Sequence, residues 1–275
     1  MPELPEAVTM ATDLNALLSG QTIEDVLVNY DPIVASDKLA FGPLLIGQKV
    51  DSVNNMGKWV RFCLNSGGAM LAHLKMTGQF ILGPWPGSKT GTWPAHAHAA
   101  FNFGQKEALF YRDTRKFGRL RAFSDVGLKE FLLELDLGPD ANKLGPEEFF
   151  QRLLRKPKGK LKQILLDQSV VAGFGNIYCD EALFAASISP HRSISEITRD
   201  QAYTLHAETQ RILNEAILLK GSTVRSYQSL GEDGTYQSQH KVYGKAGQPC
   251  PRCQTPLVRS SIGGRTTVSC INCQK

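Results

Sequence analysis

The first half of the chain alternates apolar and polar residues in short runs, a pattern typical of β-strands. The predicted strands cover residues 23–28, 48–53, 59–64, 69–74, 99–103, 108–111 and 119–123. So many short strands within about a hundred residues favour a sandwich or barrel over βαβ units. Ahead of them, residues 6–18 place apolar side chains at helical spacing and predict an amphipathic helix. Residues 83–97, rich in Gly, Pro, Trp and His, predict a loop.

The second half of the chain changes to a helical period. A short helix is predicted over residues 126–135, and Pro146 occupies the first turn of another. Two glycines, Gly173 and Gly175, interrupt the helices that follow, where a tight turn would let backbone amides approach a ligand. Residues 220–248 have no period and predict a loop too long to be a mere connector. Strands followed by helices indicate an α+β protein of two domains.

The net charge of +5 is unevenly distributed. Residues 1–150 carry 14 Lys/Arg and 17 Asp/Glu (net −3), whereas residues 151–275 carry 17 and 9 (net +8). A basic C-terminal half indicates a polyanionic partner, although an ordinary solvated surface has the same composition. No apolar run approaches the ~20 residues that cross a bilayer, and the acidic start lacks the features of a signal peptide. We therefore expect a cytosolic protein of bacterial type.

Four of the six cysteines crowd into the last 26 residues. They form two Cys-x₂-Cys pairs separated by 16 residues, a zinc-ribbon spacing, with Cys250, Cys253, Cys270 and Cys273 as the ligands. Four thiolates leave no open position, so one structural Zn²⁺ is predicted. A redox pair or a chance spacing is the alternative. The residues between the pairs predict a β-hairpin with Gly263 and Gly264 at its tip.

The chain opens with the hexapeptide Met-Pro-Glu-Leu-Pro-Glu, and its chemistry depends on Met1. Removal of Met1 would give Pro2 a free secondary amine, which titrates near pH ~8 and can attack an electrophilic carbon to form an iminium. Glu3 can carry the proton that this attack requires. The hexapeptide alone equally fits an ordinary terminus that leads into a helix.

Taken together, these motifs resemble formamidopyrimidine-DNA glycosylase, a family of bacterial base-excision repair enzymes. The shared segments are 1–6, 56–58, 73–78, 111–118, 158–162, 173–178, 221–225, 242–244 and the four-cysteine ribbon. The related endonuclease VIII enzymes have the same layout but typically carry Gly where this chain has Leu4, which favours the formamidopyrimidine branch.

The resemblance implies a domain organisation. Residues 1–135 would form an N-terminal catalytic β-sandwich domain with its N-terminal helix, and residues 136–145 the linker. Residues 146–246 would form a helical DNA-binding domain with a helix-two-turn-helix motif and a lesion-recognition loop at about 221–239. Residues 247–275 would form the zinc finger.

The resemblance also implies catalytic roles. Pro2 would attack C1′ of the damaged nucleotide, displace the base and form an imine with the opened sugar. Glu3 would protonate the sugar or relay protons, and Glu6 would support the site. Lys58 would bind a phosphate and assist the first elimination, although a lysine at a strand end is more often simply solvated. Arg265 would hold the phosphates that flank the lesion and serve the late eliminations.

Further residues would bind double-stranded DNA. Met76, Arg115 and Phe117 would fill the gap left by the flipped base, although Met and Phe taken singly are more often core residues. His96 or His98 matches a DNA-contacting position. The remaining predicted DNA contacts, to phosphates or from the loop, are Lys158, Lys162, Asn176, Arg225, Ser226, Tyr227 and Tyr243. Val8, Thr114 and Lys116 depart from the usual pattern, which puts loop geometry and opposite-base preference in question.

The resemblance thus predicts a bifunctional DNA glycosylase and AP lyase that removes oxidised purines, 8-oxoguanine and formamidopyrimidines, and nicks the strand by β,δ-elimination. It implies a monomer in the bacterial cytoplasm, associated with the nucleoid. An endonuclease VIII-like enzyme for oxidised pyrimidines is one alternative. A non-catalytic zinc-ribbon DNA-binding protein is the other, and it would result if Met1 were retained, because an acylated Pro nitrogen is not nucleophilic.

Overall fold

A computed structural model describes residues 2–88 and 91–275. The chain divides into two compact units. Unit 1 comprises residues 1–135 and 220–235, and unit 2 comprises residues 136–219 and 236–275. The segment 220–235, which the sequence placed in the helical domain, therefore belongs to the strand-rich unit.

Unit 1 is a β-sandwich flanked by helices. One sheet has the strand order β1-β6-β7-β5, and the other has the order β2-β3-β4-β8, with antiparallel pairing throughout. The strands are β1 (Asp25–Val28), β2 (Val50–Met56), β3 (Trp59–Leu64), β4 (Ala69–His73), β5 (Gly78–Pro84), β6 (Ala97–Asn102), β7 (Glu107–Asp113) and β8 (Arg119–Phe123). The helices are α1 (Leu4–Leu18), α2 (Lys38–Leu45) and α3 (Asp125–Glu134).

The two sheets of unit 1 share one apolar core. Strand β3 shows why, because its alternating sequence buries Val60, Phe62 and Leu64 on one face. From that face Phe62 meets Phe80 of the opposite sheet with ring centres 5.4 Å apart, and Phe80 meets Tyr111 at 5.3 Å. The same apolar cluster includes the buried side of α1. The predicted sandwich with its N-terminal helix is confirmed.

Unit 2 is helical and ends in a β-hairpin. Its helices are α4 (Pro146–Leu154), α5 (Leu161–Leu165), α6 (Asn176–Ala185) and α7 (Arg199–Leu218), and its strands are β9 (Val258–Ile262) and β10 (Arg265–Ser269). The turn between α5 and α6 contains Gly173 at φ +94°, a left-handed conformation that glycine adopts without strain. The predicted hairpin is confirmed, with Ile262 paired to Arg265 next to the tip.

Two elements are missing from the sequence prediction. Strand β5 was not among the predicted strands, and its last two residues fall in the stretch predicted to be a loop. It is an edge strand, where Pro84 costs no ladder hydrogen bond. Helix α2 was not predicted, since it is short and contains Pro43. No helix in the part of the chain that the structure describes is long and apolar enough to cross a membrane.

Candidate active site and nucleic-acid interface

The start of α1 buries a pair of carboxylates beside Pro2. Glu3 is the N-cap of α1 and Glu6 is its third residue, and the backbone N–H of Glu3 donates to Glu6 Oε2 at 2.7 Å. This capping box satisfies donors that a helix start leaves free, so it fixes where α1 begins. Both carboxylates are 1% exposed, and Pro2 is buried. Met1, whose removal was predicted, lies outside the described residues.

The segment after α7 holds Glu6 in place. The backbone N–H of Ser222 donates to Glu6 Oε1 at 2.7 Å, and the Tyr227 hydroxyl donates to the Glu6 carbonyl at 3.0 Å. Gly221 has φ +79°, and a Cβ there would lie 2.7 Å from Glu6 Oε1. Only glycine therefore lets the backbone pass this close to the carboxylate. Residues separated by more than two hundred positions thus fix one carboxyl group.

Tyr227, which the resemblance placed among the loop contacts to DNA, is buried. Its side chain is 6% exposed and packs in the apolar core of unit 1. Burial, with Glu6 and Asp13 nearby, raises the pKa of its hydroxyl well above the usual value. Its neighbours Arg225 and Ser226 remain exposed. Residues 224–226 are therefore exposed, and this exposed stretch ends at Tyr227, whose ring anchors the segment in the core.

Lys58 lies in the tight turn between β2 and β3, and His73 is its electrostatic neighbour. Burial, Lys75 and Lys58 together lower the pKa of His73 to about 3, so its imidazole is neutral at physiological pH. Its Nδ1 accepts the Lys75 N–H at 3.0 Å, which leaves the proton on Nε2. A neutral donor beside two lysines suits an anionic group. The sequence motif contained His73 but gave it no role.

The structure brings Met76, Arg115 and Phe117 together. Met76 lies in the β4–β5 turn, and the other two lie in the β7–β8 turn. Arg115 Nη1 lies 2.8 Å from the Met76 sulfur, and the guanidinium carbon lies 4.6 Å from the centre of the Phe117 ring. Met76 and Phe117 are 38% and 47% exposed. They are therefore surface residues rather than core residues, and form an apolar wedge with a cation in its middle.

The buried carboxylate of Asp113 joins the two turns that carry this wedge. Its oxygens accept the backbone N–H groups of Arg115 at 3.1 Å and Gly118 at 2.7 Å, and the Thr77 hydroxyl of the other turn. The Thr77 hydroxyl oxygen in turn accepts the Arg115 N–H at 3.1 Å. One side chain, 0% exposed, thereby sets the separation of the turns. Sequence reasoning gave Asp113 no role of its own.

The two candidate histidines differ in their exposure to solvent. His96 is exposed and has φ +63°, so it lies at a turn on the surface. His98 is 4% exposed, its Nε2 lies 2.8 Å from the Asp113 carbonyl oxygen, and its ring packs against Tyr30. His96 remains a candidate for DNA contact, whereas His98 is part of the interior.

Unit 2 places most of its candidate phosphate-binding residues at the surface, with one exception. Lys158 and Arg265 are exposed, the latter beside the hairpin tip. Asn176 at the start of α6 donates from Nδ2 to the Thr266 carbonyl at 2.9 Å. Lys162 is 0% exposed and pairs with Asp180, so its predicted phosphate contact is wrong. The lysine-rich context suggested an exposed side chain, but α5 turns this residue inward.

Tyr243 is held through its backbone by a buried carboxylate. Glu181 Oε1 accepts the N–H groups of Val242 at 2.9 Å and Tyr243 at 2.8 Å, and Oε2 accepts that of Lys241 at 2.8 Å. Glu181 is 3% exposed, whereas Tyr243 is partly exposed. The segment is therefore fixed while the tyrosine ring still reaches the surface.

The four C-terminal cysteines converge as predicted. Their sulfur atoms all lie within 4.8 Å of one another, with Cys250–Cys273 at 3.9 Å and Cys253–Cys270 at 3.5 Å. Tetrahedral zinc bonds of about 2.3 Å place sulfurs about 3.8 Å apart. Backbone N–H groups of Arg252 and Cys273 point at the sulfurs of Cys250 and Cys270, each at 3.4 Å. The arrangement suits one tetrahedral metal ion bound by thiolates.

Comparison with known proteins gives full-length similarity. The formamidopyrimidine-DNA glycosylase N-terminal domain model matches residues 1–120, and the H2TH domain model of the same enzyme matches residues 135–228. Formamidopyrimidine-DNA glycosylase of Geobacillus kaustophilus is 39% identical over 280 residues, covering 100% of both chains. That of Streptococcus pneumoniae R6 is 36% identical over 277 residues, covering 100% of this chain and 99% of the relative.

Solved structures also show similarity over the full length of the chain. Wild-type Lactococcus lactis Fpg in complex with DNA containing N7-benzyl-Fapy-dG superposes with a TM-score of 0.90 at 32% identity, covering 100% of both chains. The same organism's Fpg with DNA containing an abasic site has a TM-score of 0.89 at 30% identity, covering 99% of each chain.

Proposed function

Because the chain belongs to the formamidopyrimidine-DNA glycosylase family and is a DNA glycosylase, we propose that it excises oxidised purines and then nicks the strand as an AP lyase. Its substrate would be double-stranded DNA that contains 8-oxoguanine, formamidopyrimidines or abasic sites. The observation that carries this proposal is the pair of buried carboxylates, Glu3 and Glu6, next to Pro2. DNA as substrate would place the protein at the nucleoid.

Pro2 would be the nucleophile once Met1 is removed. Its nitrogen attacks C1′ as the bond to the damaged base breaks, and opening of the sugar ring gives an iminium. The positive end of α1 follows directly and disfavours a protonated amine, so more of the nucleophile is free. Glu3 hands protons to and from the sugar, while Glu6 is held by Ser222 and supports the site.

Strand cleavage would follow from the same intermediate. The iminium acidifies the adjacent C–H bond, so its proton is lost and the 3′ phosphate leaves, and a second elimination releases the 5′ phosphate. Lys58 and the neutral His73 would bind a phosphate beside the lesion. Arg265 would hold the flanking phosphates and serve the later elimination.

The wedge of Met76, Arg115 and Phe117 would occupy the space vacated by the flipped nucleotide. Apolar side chains that insert between base pairs replace lost stacking, and a guanidinium can hydrogen-bond the unpaired partner base. The exposure of Met76 and Phe117 supports this role, because apolar side chains at such exposed turns otherwise gain nothing from folding. His96, Lys158, Asn176, Arg225 and Tyr243 would add further DNA contacts.

The metal would be Zn²⁺, bound by Cys250, Cys253, Cys270 and Cys273. The sulfur spacing and the absence of oxygen donors within this set favour zinc over magnesium or calcium. A bound zinc ion would cross-link the two cysteine turns and so stabilise the base of the hairpin that carries Arg265.

Borohydride trapping tests the central step. Incubation of the Met1-free protein with an 8-oxoguanine duplex and borohydride should give a covalent adduct at Pro2, identified by peptide mass. A matched protein with a short N-terminal extension keeps every side chain but acylates Pro2, and should bind DNA without forming the adduct. DNA binding without any adduct from the Met1-free protein would refute the enzyme mechanism. Parallel cleavage of thymine-glycol duplex separates the proposal from the oxidised-pyrimidine alternative.

A further inference from the structure

A buried ion pair in unit 2 reaches the backbone of the strand that begins at Arg265. Lys162 of α5 and Asp180 of α6 have side chains 0% and 1% exposed, with Nζ 2.6 Å from Oδ1. The same Nζ donates to the Thr266 carbonyl at 3.0 Å. The other Asp180 oxygen, Oδ2, accepts the Val268 N–H at 3.1 Å. The pair therefore contacts strand β10 at two positions.

These contacts provide hydrogen-bond partners for the backbone groups of β10 that point away from β9. In a strand, the carbonyl of one residue and the N–H of the residue two positions later point to the same side. Thr266 and Val268 are such a couple, and their groups meet a cation and an anion that also bind each other. Asn176 Nδ2 adds a second donor to the Thr266 carbonyl. Side chains of α5 and α6 thus take the place of a third strand.

The metal cluster and the ion pair fix different parts of the hairpin. Cys270 follows the last residue of β10, whereas Arg265 is its first. At about 3.4 Å per residue, the Cα atoms of Arg265 and Ser269 are roughly 14 Å apart. The thiolates can therefore fix the base of the hairpin, but Thr266, which the ion pair contacts, is the residue next to Arg265.

We propose that Lys162 and Asp180 are positioning residues that hold Arg265 for phosphate binding. The inference rests on the proposed function, in which Arg265 grips phosphates that flank the lesion. Two glycines at the tip would otherwise leave the start of β10 free to move, and ordering it would oppose DNA binding. A buried ion pair contributes little net stability compared with apolar packing, but it fixes one geometry, because any other leaves buried charges unpaired.

Salt-dependent DNA binding tests the proposal. Each phosphate contact adds about 0.9 to the slope of log K against log salt concentration. Arg265→Ala should lower the slope by about 0.9. Asp180→Asn should lower it by a similar amount, since the single amide oxygen can accept from Lys162 or from the Val268 N–H but not from both, which weakens the hold on β10. The double variant should lose no more than either single variant, because both remove the same contact.

Controls separate positioning from general damage. Glu208→Gln makes the same chemical change in an ion pair with Arg211 on α7 and should leave the slope unchanged. If Asp180→Asn does not fold, Lys162→Met/Asp180→Leu replaces both charges with apolar groups and tests the same contact. A merely destabilised protein binds with fewer active molecules but an unchanged slope. Metal content should stay at the wild-type level in each variant.

The outcomes distinguish this inference from the proposed function. A wild-type slope for the folded ion-pair variants, or additive losses with Arg265→Ala, would overturn the positioning role. An unchanged slope for Arg265→Ala itself would instead contradict the phosphate role of Arg265, on which the inference depends.

Discussion

The Asp113 carboxylate accepts the backbone N–H of Gly118 at 2.7 Å, and this bond closes the turn that presents Arg115 and Phe117. The same carboxylate binds Thr77 of the neighbouring turn, which presents Met76. The buried carboxylate of Asp113, which is not itself part of the wedge, therefore fixes the relative positions of the wedge residues. Disturbing Asp113 should alter how the wedge fits DNA while leaving the buried carboxylates of Glu3 and Glu6 intact.

Asp113→Asn should destabilise the protein and weaken discrimination of the base opposite the lesion. The amide keeps one acceptor oxygen, so its NH2 group must face either the Gly118 N–H or the Arg115 N–H, and losing a buried hydrogen bond of this kind costs about 1–3 kcal/mol. Thermal unfolding measures the first effect, and excision rates opposite cytosine and adenine measure the second. Asp125→Asn, at an exposed ion pair with Lys129, is the control and should change stability by less than about 1 kcal/mol. Unaltered discrimination would contradict the link between Asp113 and the wedge.

Gly221→Ala should displace Glu6 and slow catalysis. An alanine at φ +79° costs about 1–2 kcal/mol, and its Cβ would lie 2.7 Å from Glu6 Oε1. A small displacement of a catalytic group can cost roughly 100-fold in rate. Gly231→Ala, at φ +92° in the same segment with no atom within 4 Å of its Cβ, has the backbone strain without the clash. Single-turnover excision should therefore fall for Gly221→Ala alone, and equal losses in both would point to strain.

His73 predicts an acid-sensitive fold. Its pKa is lowered from 6.5 to about 3 in the folded chain. Between these two pH values the unfolded chain binds a proton on this imidazole and the folded chain does not. The stability that it contributes is complete above pH 6.5 and is lost as the pH falls toward 3. Replacing it by His73→Gln should flatten the decline of the melting temperature over this range. A decline equal to that of the wild type would show that the imidazole does not carry this dependence.

The sequence was most informative where structure depends on local pattern. The bounds of β3 and β8 match the prediction, since each is an alternating run between turns. The cysteine cluster follows from spacing alone, because two short Cys-x₂-Cys turns can close one tetrahedron. The wedge residues lie in two motifs, and the resemblance grouped them before the structure did.

Tertiary contacts account for what the sequence did not reveal. Asp113 accepts a hydrogen bond from Thr77, and Asp180 accepts one from Val268, which is 88 positions away in the sequence. No periodicity of the sequence connects such residues. Lys162 followed a run of exposed lysines and so resembled them, although its helix turns it toward a buried acid. Tyr227 was assigned to a surface loop, but its ring reaches the core. The sequence around a single polar residue in a segment without periodicity does not indicate which distant residue it contacts.

Metal removal should separate the hairpin from the rest of the protein. Chelation removes the cross-link between cysteine sulfurs that lie as close as 3.5 Å, and the base of the hairpin should then lose order. Cys270→Ser should abolish metal binding and weaken DNA binding, whereas Cys63→Ser, outside the cluster, should do neither. Metal content by mass spectrometry, hydrogen exchange of β9 and β10, and duplex affinity report these effects. Wild-type affinity after verified loss of the metal would show that the ion pair and apolar packing hold the hairpin without it.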